Sequence, residues 1–217
     1  VSLASAIDEY NISLALTFDY GQRSRRHEIA AAAEISEYYK INHKIIELPF
    51  LKKITRTSLV NSAEKLPELD VSELDIKNKT EKSAKNVWVP NRNGLFINIT
   101  ASFSDSENYT HIIFGANKEE AATFSDNSKE FIAKINKSLE FSTLAKPKVF
   151  SPLIDYDKKE IVKIGVEKNI PFKLIRSCYT DNKKHCGKCE SCLRLKRALT
   201  GISDSTLIEA LFGYSKN

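Results

Sequence analysis

The sequence contains no methionine, no run of about 18 consecutive apolar residues, and no cysteine outside one short segment. Without such an apolar run, we expect no membrane-spanning helix. The lack of methionine is unusual for 217 residues, and residues 1–7 read as the middle of a helix. We therefore expect further sequence before Val1, and we expect methionines to be missing within the chain, so that some spacings are short by one residue.

The sequence also lacks a strong excess of one charge. Its formal net charge is +5, and its lysines are spread among acidic residues. This mildly basic balance suits a polyanionic small molecule such as a nucleotide triphosphate. It falls short of the concentrated basic face by which proteins bind nucleic acids. We therefore expect no direct nucleic-acid binding.

What the sequence does contain is a cluster of four cysteines: Cys178, Cys186, Cys189 and Cys192. Zn²⁺ prefers four tetrahedral ligands, and overlapping C-x-x-C steps place thiolates around one centre. We predict one structural zinc ion per chain. Two disulfides are an alternative, but no secretory signal peptide opens the chain, and crowded loops gain little from cross-links. An iron–sulfur cluster is the second alternative. Cysteines that serve only as metal ligands are typical of a reducing compartment, so we expect the protein in the cytoplasm.

Short apolar stretches alternate with helical patterns along the chain. Residues 12–18 and 43–48 read as strands, and the alanine-rich residues 26–39 between them read as a helix. This βαβ pattern predicts an α/β fold with a parallel sheet and helices on both faces. Further strands are predicted at 111–114 and 149–154. Further helices are predicted at 94–107, 127–141 and 157–167, with a last helix capped by Ser203 or Asp204.

The predicted domain organisation has two parts. Residues 1–170 form the α/β domain, and residues 171–217 form a small helical, zinc-bearing segment. Residues 51–86 are charged and show little periodicity, which marks an insertion in the first domain. Both a mobile surface insertion and a partly ordered lid are consistent with this composition.

Polar residues follow the predicted strands where each strand ends. These tips are Asp19-Tyr20-Gly21-Gln22, Gly115-Ala116-Asn117 and the turn before Lys158, and Arg92 lies in a further loop. In parallel α/β sheets the chemistry lies at the carboxyl ends of the strands, which favours a shared pocket. The alternative to a shared pocket is that these segments are ordinary turns. Lys158 would then be a solvent-exposed lysine at the start of a helix, and Arg92 would form an ion pair on the surface.

These tips and the cysteine run resemble the 7-cyano-7-deazaguanine synthase family of the PP-loop ATP pyrophosphatase superfamily. The resembling stretches follow the family's order: Leu16-Thr17-Phe18-Asp19-Tyr20-Gly21-Gln22-Arg23, Val89-Pro90-Asn91-Arg92-Asn93, Gly115-Ala116-Asn117, Ser151-Pro152-Leu153-Ile154, and Ser177-Cys178-Tyr179 through Cys192. The resemblance implies a Rossmann-like sheet. It also implies a ligase that uses ATP, with Mg²⁺, to convert 7-carboxy-7-deazaguanine and ammonia to the nitrile 7-cyano-7-deazaguanine. This product is used in the biosynthesis of queuosine or archaeosine. It further implies a homodimer.

The resemblance also implies roles for individual residues. Asp19, Tyr20, Gln22 and Asn117 line the nucleotide pocket, and Arg92 and Lys158 balance phosphate charge. Asp126 accepts hydrogen bonds from the guanine-like edge of the substrate. The four cysteines bind zinc.

The sequence departs from the family at several positions. The phosphate-cradling Ser-Gly-Gly-x-Asp-Ser loop would precede Val1 and does not occur in the sequence. Asn91 replaces a glycine, and an arginine after Asp126 is lost. Two other functions stay open: a PP-loop tRNA sulfur transferase, and a non-enzymatic zinc-bearing module that binds nucleic acid.

Overall fold

The computed structural model describes residues 1–201 and 205–213. The four strands are β1 (Leu14–Asp19), β2 (Asn42–Glu47), β3 (His111–Ile113) and β4 (Lys148–Phe150). The helices in the described residues are α1 (Ser2–Ala6), α2 (Arg25–Tyr38), α3 (Pro49–Ile54), α4 (Lys77–Val87), α5 (Arg92–Glu107), α6 (Lys118–Ala121), α7 (Lys129–Ser142), α8 (Lys158–Glu167), α9 (Glu190–Thr200) and α10 (Ser205–Phe212).

The predicted α/β class with parallel strands is confirmed. β1 pairs in parallel with β2, from Leu14 opposite Asn42 to Asp19 opposite Glu47. β3 pairs in parallel with β4. The described strands therefore form two separate two-stranded sheets. The predicted capping residues Ser203 and Asp204 lie outside the described residues.

Contacts divide the chain into two compact units. Unit 1 consists of Val1–Asn11 and Asn91–Ile161, and unit 2 consists of Ile12–Pro90 and Val162–Asn217. Because both units combine segments that are distant in sequence, they do not test the predicted domain boundary at residue 170, which stays a prediction.

Unit 1 has a core between helices and the β3–β4 pair. Ile97 and Ala101 of α5 pack with Ile112 of β3, Leu139 of α7 and Val149 of β4. The first and last residues of α5 are flanked by left-handed asparagines, Asn91 (φ 49°) and Asn108 (φ 57°). Asparagine tolerates this conformation better than most residues, which explains how Asn91 can replace a family glycine.

Unit 2 contains the insertion at residues 51–86, and this segment has a defined structure. It includes most of α3 and all but the last residue of α4, and it buries Leu51, Leu59 and Leu74. Unit 2 has its own hydrophobic core, in which Val162 of α8 packs with residues of α9 and α10. The insertion shows little periodicity because its buried apolar residues, Leu51, Leu59, Val60 and Leu74 among them, are irregularly spaced in the sequence.

Candidate metal centre and nucleotide site

The four cysteines lie together in unit 2, as predicted. Cys178 and Cys186 come from the loop before α9, Cys189 caps the N-terminus of α9, and Cys192 lies in its first turn. All four Sγ atoms lie within 4.8 Å of one another. The Sγ atoms of Cys186 and Cys192 are 3.8 Å apart. A tetrahedral zinc ion with bonds of about 2.3 Å separates its sulfurs by about 3.8 Å, so the donor set fits one zinc ion.

Backbone amides surround these sulfurs and explain the local fold. The amide groups of Thr180 and Cys186 donate to Cys178 Sγ at 3.4 and 3.2 Å. The amide groups of Lys188 and Cys189 donate to Cys186 Sγ at 3.5 and 3.4 Å. Gly187 supplies the left-handed turn (φ 71°) that this arrangement requires. Amide donors favour thiolate over thiol, which is the form that binds metal.

Contacts among the sulfurs shift the pKa values of three thiols in opposite directions. Hydrogen bonds from Cys189 and Cys192 hold the pKa of Cys178 well below its usual range. The same contacts to Cys178 raise the pKa of Cys189 to about 12 and also raise the pKa of Cys192. Ionisation of Cys178 therefore opposes ionisation of Cys189 and Cys192. A divalent cation would allow all four to ionise, and its binding would release protons.

The alternatives to a single metal ion fit less well. All four cysteines are free thiols, so no disulfide joins them. An iron–sulfur cluster needs wider spacing, because several irons and sulfides separate its cysteine ligands. His185 is excluded as a fifth ligand by its hydrogen bonds. Its Nε2 accepts from the amide of Ser177 at 3.2 Å, and its Nδ1 lies 3.3 Å from the carbonyl oxygen of Leu211.

The predicted nucleotide residues divide between the two units. Gln22, in unit 2, is buried, and its side chain holds the turn after β1. Its Oε1 accepts from the amide of Tyr20 at 3.0 Å. Its Nε2 donates to the carbonyl oxygen of Phe18 at 3.1 Å and to Glu28 at 2.8 Å. These bonds orient the turn, so Gln22 shapes the strand tip.

Asp19 and Tyr20 occupy the same turn. The amide of Gly21 donates to Asp19 Oδ1 at 2.9 Å, and Gly21 is left-handed (φ 82°). Arg25 at the start of α2 lies 3.9 Å from the same oxygen. Tyr20 is buried. Their predicted contacts with a nucleotide stay predictions.

The other predicted residues come together in unit 1 around a residue that the sequence analysis missed, Glu120. The ammonium of Lys158 lies 3.0 Å from Glu120 Oε1. Asn117 accepts from the amide of Glu120 at 3.1 Å. Arg92 acts through its positive charge on both Glu120 and Asp126. The signal in the sequence was the acidic pair Glu119-Glu120, which follows the strand tip after one intervening residue, Lys118.

The two carboxyl groups of this cluster are perturbed in opposite directions. Burial opposes ionisation of Glu120, but Lys158, Asn117 and Arg92 outweigh it and hold its pKa below the usual value. Burial raises the pKa of Asp126, and the charge of Arg92 only partly offsets this effect. Glu120 is therefore the carboxylate of the pair that stays ionised most readily.

Asp126→Asn is expected to stabilise the protein at pH 7. Because the folded state raises the pKa of Asp126 above 3.8, it binds a proton more tightly than the unfolded state does. The free energy of unfolding therefore falls as the pH rises from 3.8 through the raised pKa. Urea unfolding at pH 7 should show a higher midpoint for the variant, and the gain should shrink at pH 4. Asp155→Asn, at an exposed ion pair, is the control. An equal gain at both pH values would contradict this account.

The described helices include none that is both long and apolar enough to cross a bilayer.

Comparison with known proteins identifies the family. The sequence profile described as "Queuosine biosynthesis protein QueC" matches residues 1–203. The chain belongs to the QueC family. The resemblance inferred from the strand tips and the cysteine run is thereby confirmed.

Three relatives named 7-cyano-7-deazaguanine synthase each cover more than nine tenths of this chain. The 7-cyano-7-deazaguanine synthase of Pelotomaculum thermopropionicum is 48% identical over 198 residues, which cover 91% of this chain and 90% of that protein. The synthase of Carboxydothermus hydrogenoformans is 49% identical over 93% of both chains. That of Methanosarcina barkeri is 41% identical over 95% of this chain and 91% of its own length.

Proposed function

We propose that this chain is a 7-cyano-7-deazaguanine synthase, an enzyme of queuosine biosynthesis. The observation that carries the proposal is the identity of 48–49% to two synthases of that name over more than nine tenths of the chain. The finer proposal is an ATP-dependent carbon–nitrogen ligase that acts on 7-carboxy-7-deazaguanine and ammonia.

The proposed chemistry follows from the substrate and product. A carboxylate is a poor electrophile, so ATP must first convert one of its oxygens into a leaving group. Ammonia then attacks the carbonyl carbon and displaces that group, which leaves an amide. Loss of the amide oxygen to form the nitrile requires a second activation of the same kind. The protein's contribution is mainly positioning and stabilisation of phosphate charge.

The cluster in unit 1 is suited to that contribution. Lys158 and Arg92 supply positive charge for a triphosphate, with Mg²⁺ as the expected counter-ion. Asn117 supplies an amide at the tip of a strand. Asp126 is proposed to accept hydrogen bonds from the deazapurine, and Asp19, Tyr20 and Gln22 are proposed to line the nucleotide site.

The cysteine cage is proposed to be structural. Zinc bound there would cross-link the loop to α9, and its four thiolate ligands leave no open position for substrate. This also argues against a tRNA sulfur transferase, because the sequence has no cysteine outside the cage to act as a thiol nucleophile. A nucleic-acid-binding module gains no support from the relatives. A homodimer and a cytoplasmic location stay predictions.

The direct test is a reaction of the zinc-loaded, full-length protein with ATP, Mg²⁺, ammonium and 7-carboxy-7-deazaguanine. We expect mass spectrometry to detect the nitrile only when all components are present. 7-Deazaguanine, which lacks the carboxylate, is the matched control substrate and should consume no ATP. ATP consumption on another carboxylate, without nitrile, would overturn the proposal.

A further inference from the structure

We propose that Glu120 is a positioning residue that fixes the side chains of Lys158 and Asn117 for nucleotide binding. This inference rests on the proposed use of ATP and concerns a residue for which no role has been assigned so far. It is carried by contacts within unit 1.

Three successive residues of α6 contact Tyr156 or Lys158, the first residue of α8. The amide of Lys118 donates to the carbonyl oxygen of Tyr156 at 3.1 Å. Glu119 Oε1 accepts from the amide of Lys158 at 3.0 Å. Glu120 Oε1 lies 3.0 Å from the ammonium of the same lysine. The backbone and the side chain of Lys158 are therefore both held by α6.

The same helix is tied to the strand tip that precedes it. Asn117 caps α6, and its Oδ1 accepts from the amide of Glu120. The Asn117 side chain also interacts with the Glu120 carboxylate. Ser151, directly after β4, donates through its hydroxyl to the carbonyl oxygen of Ala116 at 2.7 Å. The tips of β3 and β4 are thus linked, and Glu120 connects Asn117 to Lys158.

A carboxylate at this place is suited to positioning and unsuited to phosphate contact. Glu120 repels phosphate oxygens, and its carboxylate interacts with Lys158 and Asn117, so we assign its role to these two partners. A lysine side chain has many rotamers, and an ion pair that selects one of them lowers the entropy lost when a ligand binds. The ammonium has three donors. One bond to Glu120 therefore leaves Lys158 with donors for a phosphate.

A double-mutant cycle of Glu120→Gln and Lys158→Gln tests the inference. Each single variant is expected to lower kcat/KM for ATP by about 10- to 100-fold, as is typical when a binding group is misplaced. If Glu120 acts through Lys158, the double variant should match Lys158→Gln within about threefold, because coupled residues are not additive. If the loss of kcat/KM in the double variant equalled the product of the two single losses, the inference would be overturned.

The kinetic constants separate positioning from a general structural role. Glu120→Gln should raise KM for ATP and leave KM for ammonium unchanged. A purely structural role would lower the active fraction, and hence kcat, without changing either KM. Glu130→Gln is the matched control, because it removes the same charge from an exposed ion pair with Lys134 in the same unit. It should behave as the wild type.

Calorimetric titration with ATP and Mg²⁺ alone separates this inference from the proposed function. The Kd of ATP is measured for the wild type, for Glu120→Gln, for Lys158→Gln and for the double variant. Non-additive binding losses without nitrile formation by the wild type would uphold the role of Glu120 and refute the substrate assignment. Nitrile formation with an unchanged Kd and KM for ATP in Glu120→Gln would refute the role of Glu120 alone. No ATP binding by the wild type would overturn both.

Discussion

Replacing Cys192 with serine is expected to abolish tight zinc binding and to unfold the region around α9. Structural zinc supplies about 10–16 kcal/mol of apparent binding energy in zinc-finger peptides. The whole stability of a typical domain is only about 5–15 kcal/mol. Cys192 is fully buried, and its sulfur completes the cage at the first turn of α9. Loss of this one ligand should therefore remove most of the stability of the local fold.

The effect should extend from the cage into the insertion. Cys189 pairs through its backbone with Glu68, and α9 carries the side chains that hold residues 74, 75 and 83. Hydrogen exchange should therefore increase in residues 178–200 and also in residues 68–87. Metal removal from the wild type with a chelator should give the same pattern.

The matched control is Ser191→Ala, which changes the neighbouring residue and retains all four sulfurs. Elemental analysis should find one zinc ion per chain in this control and much less in Cys192→Ser. A Cys192→Ser variant with one zinc per chain and wild-type exchange rates would rule out the cage as the source of local stability.

The second large effect is expected from Glu190→Ala, which should destabilise the zinc-loaded protein by about 3–5 kcal/mol, as is typical when one partner of a buried ion pair is removed. The side chains of Glu190 and Arg194 are only 8% and 9% exposed. Glu190 accepts from Arg194 Nε and Nη2 at 3.0 and 2.9 Å and from Ser83 at 2.6 Å. The variant would leave the guanidinium of Arg194 buried without its carboxylate.

Two further variants calibrate this prediction. Ser83→Ala removes one hydrogen bond to the carboxylate and should cost about 1.5–3 kcal/mol. Asp75→Ala breaks an ion pair with Arg197 on the same helix, but Asp75 is 76% exposed, so the cost should stay below about 1 kcal/mol. Urea unfolding of the zinc-loaded protein measures all three. If Glu190→Ala cost no more than Asp75→Ala, the buried pair would not anchor the insertion.

Local sequence patterns were sufficient for the secondary structure of the α/β elements. The predicted strands at 12–18 and 43–48 correspond to β1 and β2, and the helix between them corresponds to α2, because apolar runs and alanine-rich periodicity act over a few neighbouring residues. The predicted strand at 149–154 is shorter in the structure, where β4 ends at Phe150. Ser151 instead turns to donate to Ala116.

The insertion was the hardest segment to interpret from sequence. Its contacts with α9 join residues far apart in the chain: Ser83 binds Glu190, and Leu74 binds Arg194. No local periodicity records such pairs, because each partner contributes a single polar group.

The sequence by itself determined the cysteine cage, the α/β class and the family, because these depend on short spacings and on motifs in a recognisable order. Tertiary structure alone decided which charged residues meet. It placed Glu120 between Asn117 and Lys158, and it buried Glu190 and Arg194 against the insertion. The physical reason is that an ion pair's strength depends on distance and burial, and chain folding sets both.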